Sequence, residues 1–171
     1  MITDYFPLTV AQPNISSSNI TAAVMVTTTN NPLVSEDELK RRICISTWIA
    51  YLEEPDIHFI TGINCTAQIW AAEELIKLTE SEEDCSLSII CSYPRMENEW
   101  DGKMRKRIKR ILAKADEIVY LANKPNKRSF ELCNEWLLKH SDMLIPIYTG
   151  NKEQYDKIIE LAQSTNHGFT G

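Results

Sequence analysis

A chain of 171 residues, 43% of them apolar, has material for one hydrophobic core and little room for a second. Its formal charge of −6 repels a phosphate backbone, so nucleic acid is not favoured as a general partner. No stretch approaches the roughly 20 apolar residues of a membrane helix, and Met1-Ile2-Thr3-Asp4-Tyr5-Phe6 has neither the basic start nor the hydrophobic run of a signal peptide, so a cytoplasmic protein with no membrane partner is expected.

Residues 1–20 are polar, with Pro7 and Pro13, and read as an N-terminal arm. Residues 21–165 then alternate regularly and read as the single folded domain, leaving 166–171 as a C-terminal tail. Apolar runs at 22–26, 57–60, 87–91, 117–121 and 143–148 have strand length. Between them the spacing predicts helices. The first opens at Ser35, a capping residue followed by Glu36, Asp37 and Glu38, carries Leu39, Ile43, Thr47 or Ile49, and Ala50 inward, and ends before Pro55. The others cover about 66–79, 99–115, 127–140 and 153–163, with Ile69, Ile108, Leu137 and Ile158 among their inward residues.

Five strands alternating with five helices predict an α/β fold: a Rossmann-like three-layer domain with a mainly parallel sheet of about five strands flanked by helices. Pro146 marks the last strand as an edge or places the proline near its end. In such sheets the ligand crevice lies beyond the carboxyl ends of the strands. Function is therefore sought in the loops 27–32, 61–68, 92–100, 122–127 and 149–154.

The second loop is the most informative. Ile60-Thr61-Gly62-Ile63-Asn64-Cys65-Thr66-Ala67-Gln68-Ile69-Trp70-Ala71-Ala72-Glu73 resembles the strand–TGGALGVDxWAAE–helix segment of the YpsA-like branch of the SLOG superfamily. Downstream, Pro94-Arg95-Met96-Glu97-Asn98-Glu99-Trp100 is similar to that family's PxxQExxW, and Ile111-Leu112-Ala113-Lys114-Ala115-Asp116 to its ILxxAD. Asn134-Glu135-Trp136-Leu137, followed by Ser141-Asp142, resembles RNRWMV…SD. The resemblance spans roughly residues 22–163 and rests on the order and spacing of these motifs.

What the resemblance implies is a Rossmannoid domain that binds a nucleotide or nucleotide-derived small molecule over glycine-rich turns, where bare peptide nitrogens at a helix start hold phosphate. This sequence departs from the pattern at those turns. Ile63 and Thr66 replace glycines, Gln68 replaces an aspartate, and Cys133 replaces the arginine before Asn134. The C-terminal GGT turn expected after Gly150 appears as Glu153-Gln154-Tyr155, and the TGHRP loop as Thr27-Thr28-Thr29-Asn30-Asn31-Pro32. The expected function is accordingly non-catalytic binding of a nucleotide-derived small molecule, by a sensor or sequestering protein. The candidate contacts are Thr27, Thr28, Gly62, Asn64, Thr66 and Gln68, with Pro94, Trp100, Asn134, Ser141, Asp142 and Gly150 on the later loops. The alternatives are a protein-interaction scaffold whose pocket has been lost, and a nucleotide N-glycosidic hydrolase.

For the hydrolase, Glu73 and Glu97 are the acid/base candidates, since a buried carboxylate near the crevice acquires a raised pKa; the plainer reading pairs Glu73 with Lys77. His58, His140 and His167 read as structural. The five cysteines (Cys44, Cys65, Cys85, Cys91 and Cys133) form neither a CxxC pair nor a zinc-spaced cluster with histidine, so they read as reduced thiols and no metal site is expected; nothing calls for a cofactor. The run 103–110 is strongly basic and reads as the solvated face of a helix, or else as a patch for an acidic partner or nucleic acid. Trp70, Trp100 and Trp136 read as core, with Trp100 the one placed to touch a ligand. Ile2, Tyr5 and Phe6 resemble the aliphatic–aromatic core of sliding-clamp-binding peptides and define a weak protein-partner site on the arm. A homo-oligomer formed through the fourth or fifth helix is a further expectation.

Overall fold

The computed structural model describes residues 8–11, 20–26, 32–164 and 168–169. Five parallel strands form the centre: β2 (Ile20–Val26), β3 (Ile57–Gly62), β4 (Ser86–Cys91), β5 (Glu117–Tyr120) and β6 (Met143–Ile147). The edges are β1 (Leu8–Ala11), antiparallel to β5, and β7 (Gly168–Phe169), parallel to β6. The sheet order is β1-β5-β4-β3-β2-β6-β7. The arm and tail of the sequence reading thus each contribute a short edge strand, a pairing that apolar periodicity does not signal because it is made by backbone groups. Pro146 stands opposite Met25 of β2, and among the described residues the ladder to β7 pairs Met143 with Gly168 and Leu144 with Phe169.

Helices α1 (Glu36–Glu53), α2 (Thr66–Ser81) and α3 (Gly102–Lys114) cover one face of the sheet. Helices α4 (Ser129–Lys139) and α5 (Lys152–Ser164) cover the other. Local chemistry fixes the helix starts. Ser35 accepts from the Glu38 N–H at 3.2 Å with three acids in the first turn, and Asp101 accepts from the Met104 N–H at 2.9 Å. Asp101 also divides the segment expected as one helix from 99 to 115, leaving a 3-10 turn at Met96–Glu99 ahead of α3. Strands buried on both faces read as continuous apolar runs, and β4 is buried at all six positions. On α1 the core takes Thr47, whose hydroxyl donates to the Ile43 carbonyl at 2.8 Å, while Ile49 faces outward.

The amino-terminal edge of the sheet holds a polar relay. His58 Nδ1 lies 2.6 Å from Ser86 Oγ and Nε2 lies 2.7 Å from Ser88 Oγ, while the Ser88 hydroxyl donates to Glu117 at 2.8 Å. Ser88 has one hydrogen, spent on Glu117, so its oxygen accepts from Nε2–H and Nδ1 accepts from Ser86. Burial holds the imidazole below its usual 6.5, a shift the Glu117 and Asp116 charges oppose. The depressed folded-state value means the unfolded chain binds the proton first, so this contribution to stability is complete above about pH 6.5 and is lost as pH falls through the folded value. His58→Gln should therefore flatten the fall in urea midpoint between about pH 7.5 and pH 5.5; an unchanged fall would exclude His58 as its source.

Candidate functional site

The loop after β3 is closed by its own helix. Gln68, on the first turn of α2 and 1% exposed, turns back so that its side-chain carbonyl accepts the Asn64 N–H at 2.6 Å. A Cβ on Gly62 would stand 2.9 Å from that same oxygen and 2.9 Å from the Cys133 sulfur, so close approach rather than backbone angle requires glycine here. A phosphate oxygen bound at a helix start would take such an N–H; here a neutral amide oxygen takes it. Ile63, expected to obstruct the turn, is fully buried in the main core and leaves the crevice side clear. The obstruction comes from Gln68 instead.

Beside this turn lies an open hollow of about 350 Å³, lined by Asn64, Tyr93, Met96, Glu99, Trp100, Ser129 and Phe130. Its polar floor is tied together by Ser92, whose hydroxyl lies 2.7 Å from Asn64 Oδ1 and 3.1 Å from the Ser129 carbonyl. Asn64 Nδ2 is buried with no hydrogen-bond partner of normal geometry; the weak sulfur acceptor of Cys133 is its neighbour. Burial pushes the Cys133 thiol up to about 12, which keeps it protonated and unreactive. Tyr93 donates to Glu99, and burial together with that carboxylate pushes the phenol up to about 12. Arg95 takes a left-handed backbone (φ 63°) where the chain turns from β4 into the 3-10 helix carrying Met96, Glu97 and Glu99. The lining has three aromatic rings, one carboxylate and no Lys or Arg. It therefore favours a planar, neutral or cationic group over a phosphate.

The expected site residues divide between two edges of the sheet. Gly62, Asn64, Gln68, Pro94 and Trp100 gather at the carboxyl edge, where Thr66 begins α2. Burial raises the pKa values of Cys91 and Tyr120 at the ends of β4 and β5, and Glu97, on the 3-10 turn, lies close enough to add to both shifts. Gly150 also lies at this edge, with φ +97°, and a Cβ there would meet the Leu33 Cβ at 2.5 Å. With the Leu33 N–H donating to the Thr149 carbonyl at 3.0 Å, that contact bridges the β2/β6 end of this edge, and the hollow lies on the other side, toward β4. Ser141 and Asp142 precede β6 at the opposite edge, where Asp142 accepts from the Thr21 N–H at 2.9 Å, so they share no ligand with Trp100. Asn134 is half-buried midway along α4, its Oδ1 without a hydrogen-bond partner among the described residues. Thr27, Thr28, Ile2, Tyr5, Phe6 and His167 lie outside the described residues.

Glu73 is corrected most clearly. It lies on the helix layer, away from the crevice, bound by Arg107 (Nε to Oε2, 2.9 Å) and by Lys40 (3.0 Å), while Lys77 pairs with Glu74. Burial raises its pKa, but hydrogen bonds and charge from Arg107 and Lys40 outweigh this and leave it lowered. A carboxylate held ionised is a poor general acid. Trp70 is core, and Trp136 stacks on His140 with centroids 4.0 Å apart, leaving Trp100 as the tryptophan of the hollow. The sequence reading did not single out Tyr93, Glu99, Ser129 or Phe130. Their signal was position alone, on the loop after β4 and at the start of α4.

Comparison with known proteins agrees with this architecture. A UPF0398 protein of Halalkalibacterium halodurans is 28% identical over 106 residues, covering 61% of this chain and 56% of the relative. One from Staphylococcus epidermidis is 25% identical over 107 residues, covering 58% and 57%. The match thus spans little more than half the length of these curated relatives. Among solved structures, DNA processing protein A from Helicobacter pylori, described for its single-stranded DNA binding mode, superimposes with a TM-score of 0.63 at 17% identity over 95% of this chain and 69% of that one. Its Streptococcus pneumoniae counterpart gives 0.60 at 12% identity over 88% and 49%. At such identities these two likenesses establish the fold alone. The family model described as the YspA SLOG family matches residues 39–167, from the first core residue of α1 to beyond α5, and the chain therefore belongs to that family.

Proposed function

We propose that this protein binds a nucleotide-derived small molecule without transforming it, holding the base between Tyr93, Trp100 and Phe130 and leaving phosphate outside the β3–α2 turn. The observation that carries this reading is Gln68, whose carbonyl takes the Asn64 N–H where a phosphate would otherwise bind. The hollow beside it supplies three aromatic side chains for stacking. Hydrolysis is the weaker reading, because Glu73 is tied to Arg107 and Lys40, leaving Glu97 as its carboxylate.

Thermal unfolding in the presence of nucleosides, their mono- and triphosphates, and free bases tests the proposal, since a ligand of the folded state raises the midpoint. Nucleosides should stabilise the protein at least as well as the triphosphates. Trp100→Ala should weaken binding about tenfold to a hundredfold, the loss of one stacking platform. Stabilisation by triphosphates alone, or affinity unchanged in Trp100→Ala, would sink it. A single-stranded oligonucleotide belongs in the same series, because Lys103, Lys106, Lys109 and Arg110 on α3 are exposed and have no acidic partner among the described residues. Binding that falls steeply with salt and ignores Trp100→Ala would replace the nucleoside reading with that one.

A further inference from the structure

The hollow beside the β3–α2 turn has one charged side chain on its wall, Glu99, and three aromatic ones, Tyr93, Trp100 and Phe130. The Tyr93 hydroxyl donates to Glu99 Oε2. A phenol has a single hydrogen to give, and an ionised carboxylate has about four lone-pair sites, so Glu99 keeps most of its accepting capacity. It enters no ion pair among the described residues. Ring faces carry negative partial charge and the carboxylate a full one, so each of these side chains attracts a cation.

Neighbouring charges do not reverse this preference. From 95 to 105 the chain is balanced, with Arg95, Lys103 and Arg105 against Glu97, Glu99 and Asp101. Arg105 directs one guanidinium nitrogen at the Asn98 and Trp100 carbonyls, at 3.2 and 3.0 Å. On the α4 side Arg128 is held by Glu131 and Glu135. None of these cations, nor Lys127 beside them, lines the hollow. Exposed charges act weakly through water, whereas a group in contact acts directly, so Glu99 decides the sign of charge the hollow accepts. Resting on the nucleoside reading above, we propose that the hollow selects a purine nucleoside whose ring carries a permanent positive charge through N-alkylation. Glu99 is the residue that sets this specificity. A neutral purine gains stacking alone. A cationic one adds attraction to the rings and to Glu99, and alkylation of a ring nitrogen keeps that charge in place at neutral pH.

Calorimetric titration of the full chain with 1-methyladenosine, adenosine and N6-methyladenosine tests the inference, because the two methylated nucleosides carry the same added group and differ in charge. 1-Methyladenosine should bind at least about tenfold more tightly than either neutral nucleoside. Glu99→Gln, at an exposed position and still able to accept from Tyr93, should shrink that preference at least about threefold. Circular dichroism confirms that the variant folds. Equal affinity for the three would overturn the inference while nucleoside binding stands, and so would a preference that survives Glu99→Gln intact. Binding of none of them would overturn both this inference and the reading it rests on.

Discussion

Phe59→Ala is expected to lower the unfolding free energy by about 3–5 kcal/mol, the range for removing a fully buried aromatic ring. Phe59 lies on β3, the central strand of the sheet, and is 0% exposed within the cluster that joins the strands to α1 and α2. Loss of the ring forfeits its transfer free energy and leaves a void that parallel strands fixed on both sides close poorly. Against a typical total of about 5–15 kcal/mol, this removes a large share of the stability. Urea unfolding followed by circular dichroism measures it through a fall in midpoint at unchanged slope. A loss below about 1 kcal/mol would mean that the ring does not pack where the fold puts it.

Arg107→Ala should cost about 2 kcal/mol at neutral pH, between the 3–5 kcal/mol of breaking a buried pair and the 0–1 kcal/mol of an exposed one. Its guanidinium grips Glu73 through two nitrogens and reaches Glu36 at 2.6 Å, with side-chain exposures of 27%, 17% and 36%. Lys40 stays 3.0 Å from both carboxylates and moderates the loss. The pH dependence has a defined sign. For Glu36 and Glu73 burial opposes ionisation, yet Arg107 and Lys40 leave both below their usual 4.5. Their contribution is therefore complete above about pH 4.5 and lost as pH falls through the lower folded values. The gap in stability between wild type and variant should shrink in acid. A gap that persists at about pH 3 would assign the effect to packing of the arginine stem instead.

Part of the site was legible because its signal is local. The Thr61-Gly62 turn, the loop through Trp100 and the start of α4 follow from strand ends and helix starts, and the structure gathers them at one edge. What escaped were partners distant in the chain. Glu73 and Arg107 are 34 residues apart, and Glu36 and Arg107 are 71 apart, so nothing in the spacing around Glu73 distinguishes a general acid from a paired carboxylate. Ser141 and Asp142 follow a helix and look like a ligand loop in sequence, yet α4 has by then carried the chain back across the sheet.

The amino-acid order by itself determined the alternation of strands and helices, the Ser35 cap, the strand-length run at β4 and the kinship carried by the motifs between Gly62 and Asp142. Each depends on contacts within a few residues or on a periodicity that backbone geometry imposes. Only the tertiary structure decided that Gln68 rather than Ile63 closes the turn, that the hollow lies toward β4, and that α1 presents Ile49 outward and Thr47 inward. Those outcomes depend on which side chain finds space against neighbours brought close by folding, information that spacing along the chain does not carry.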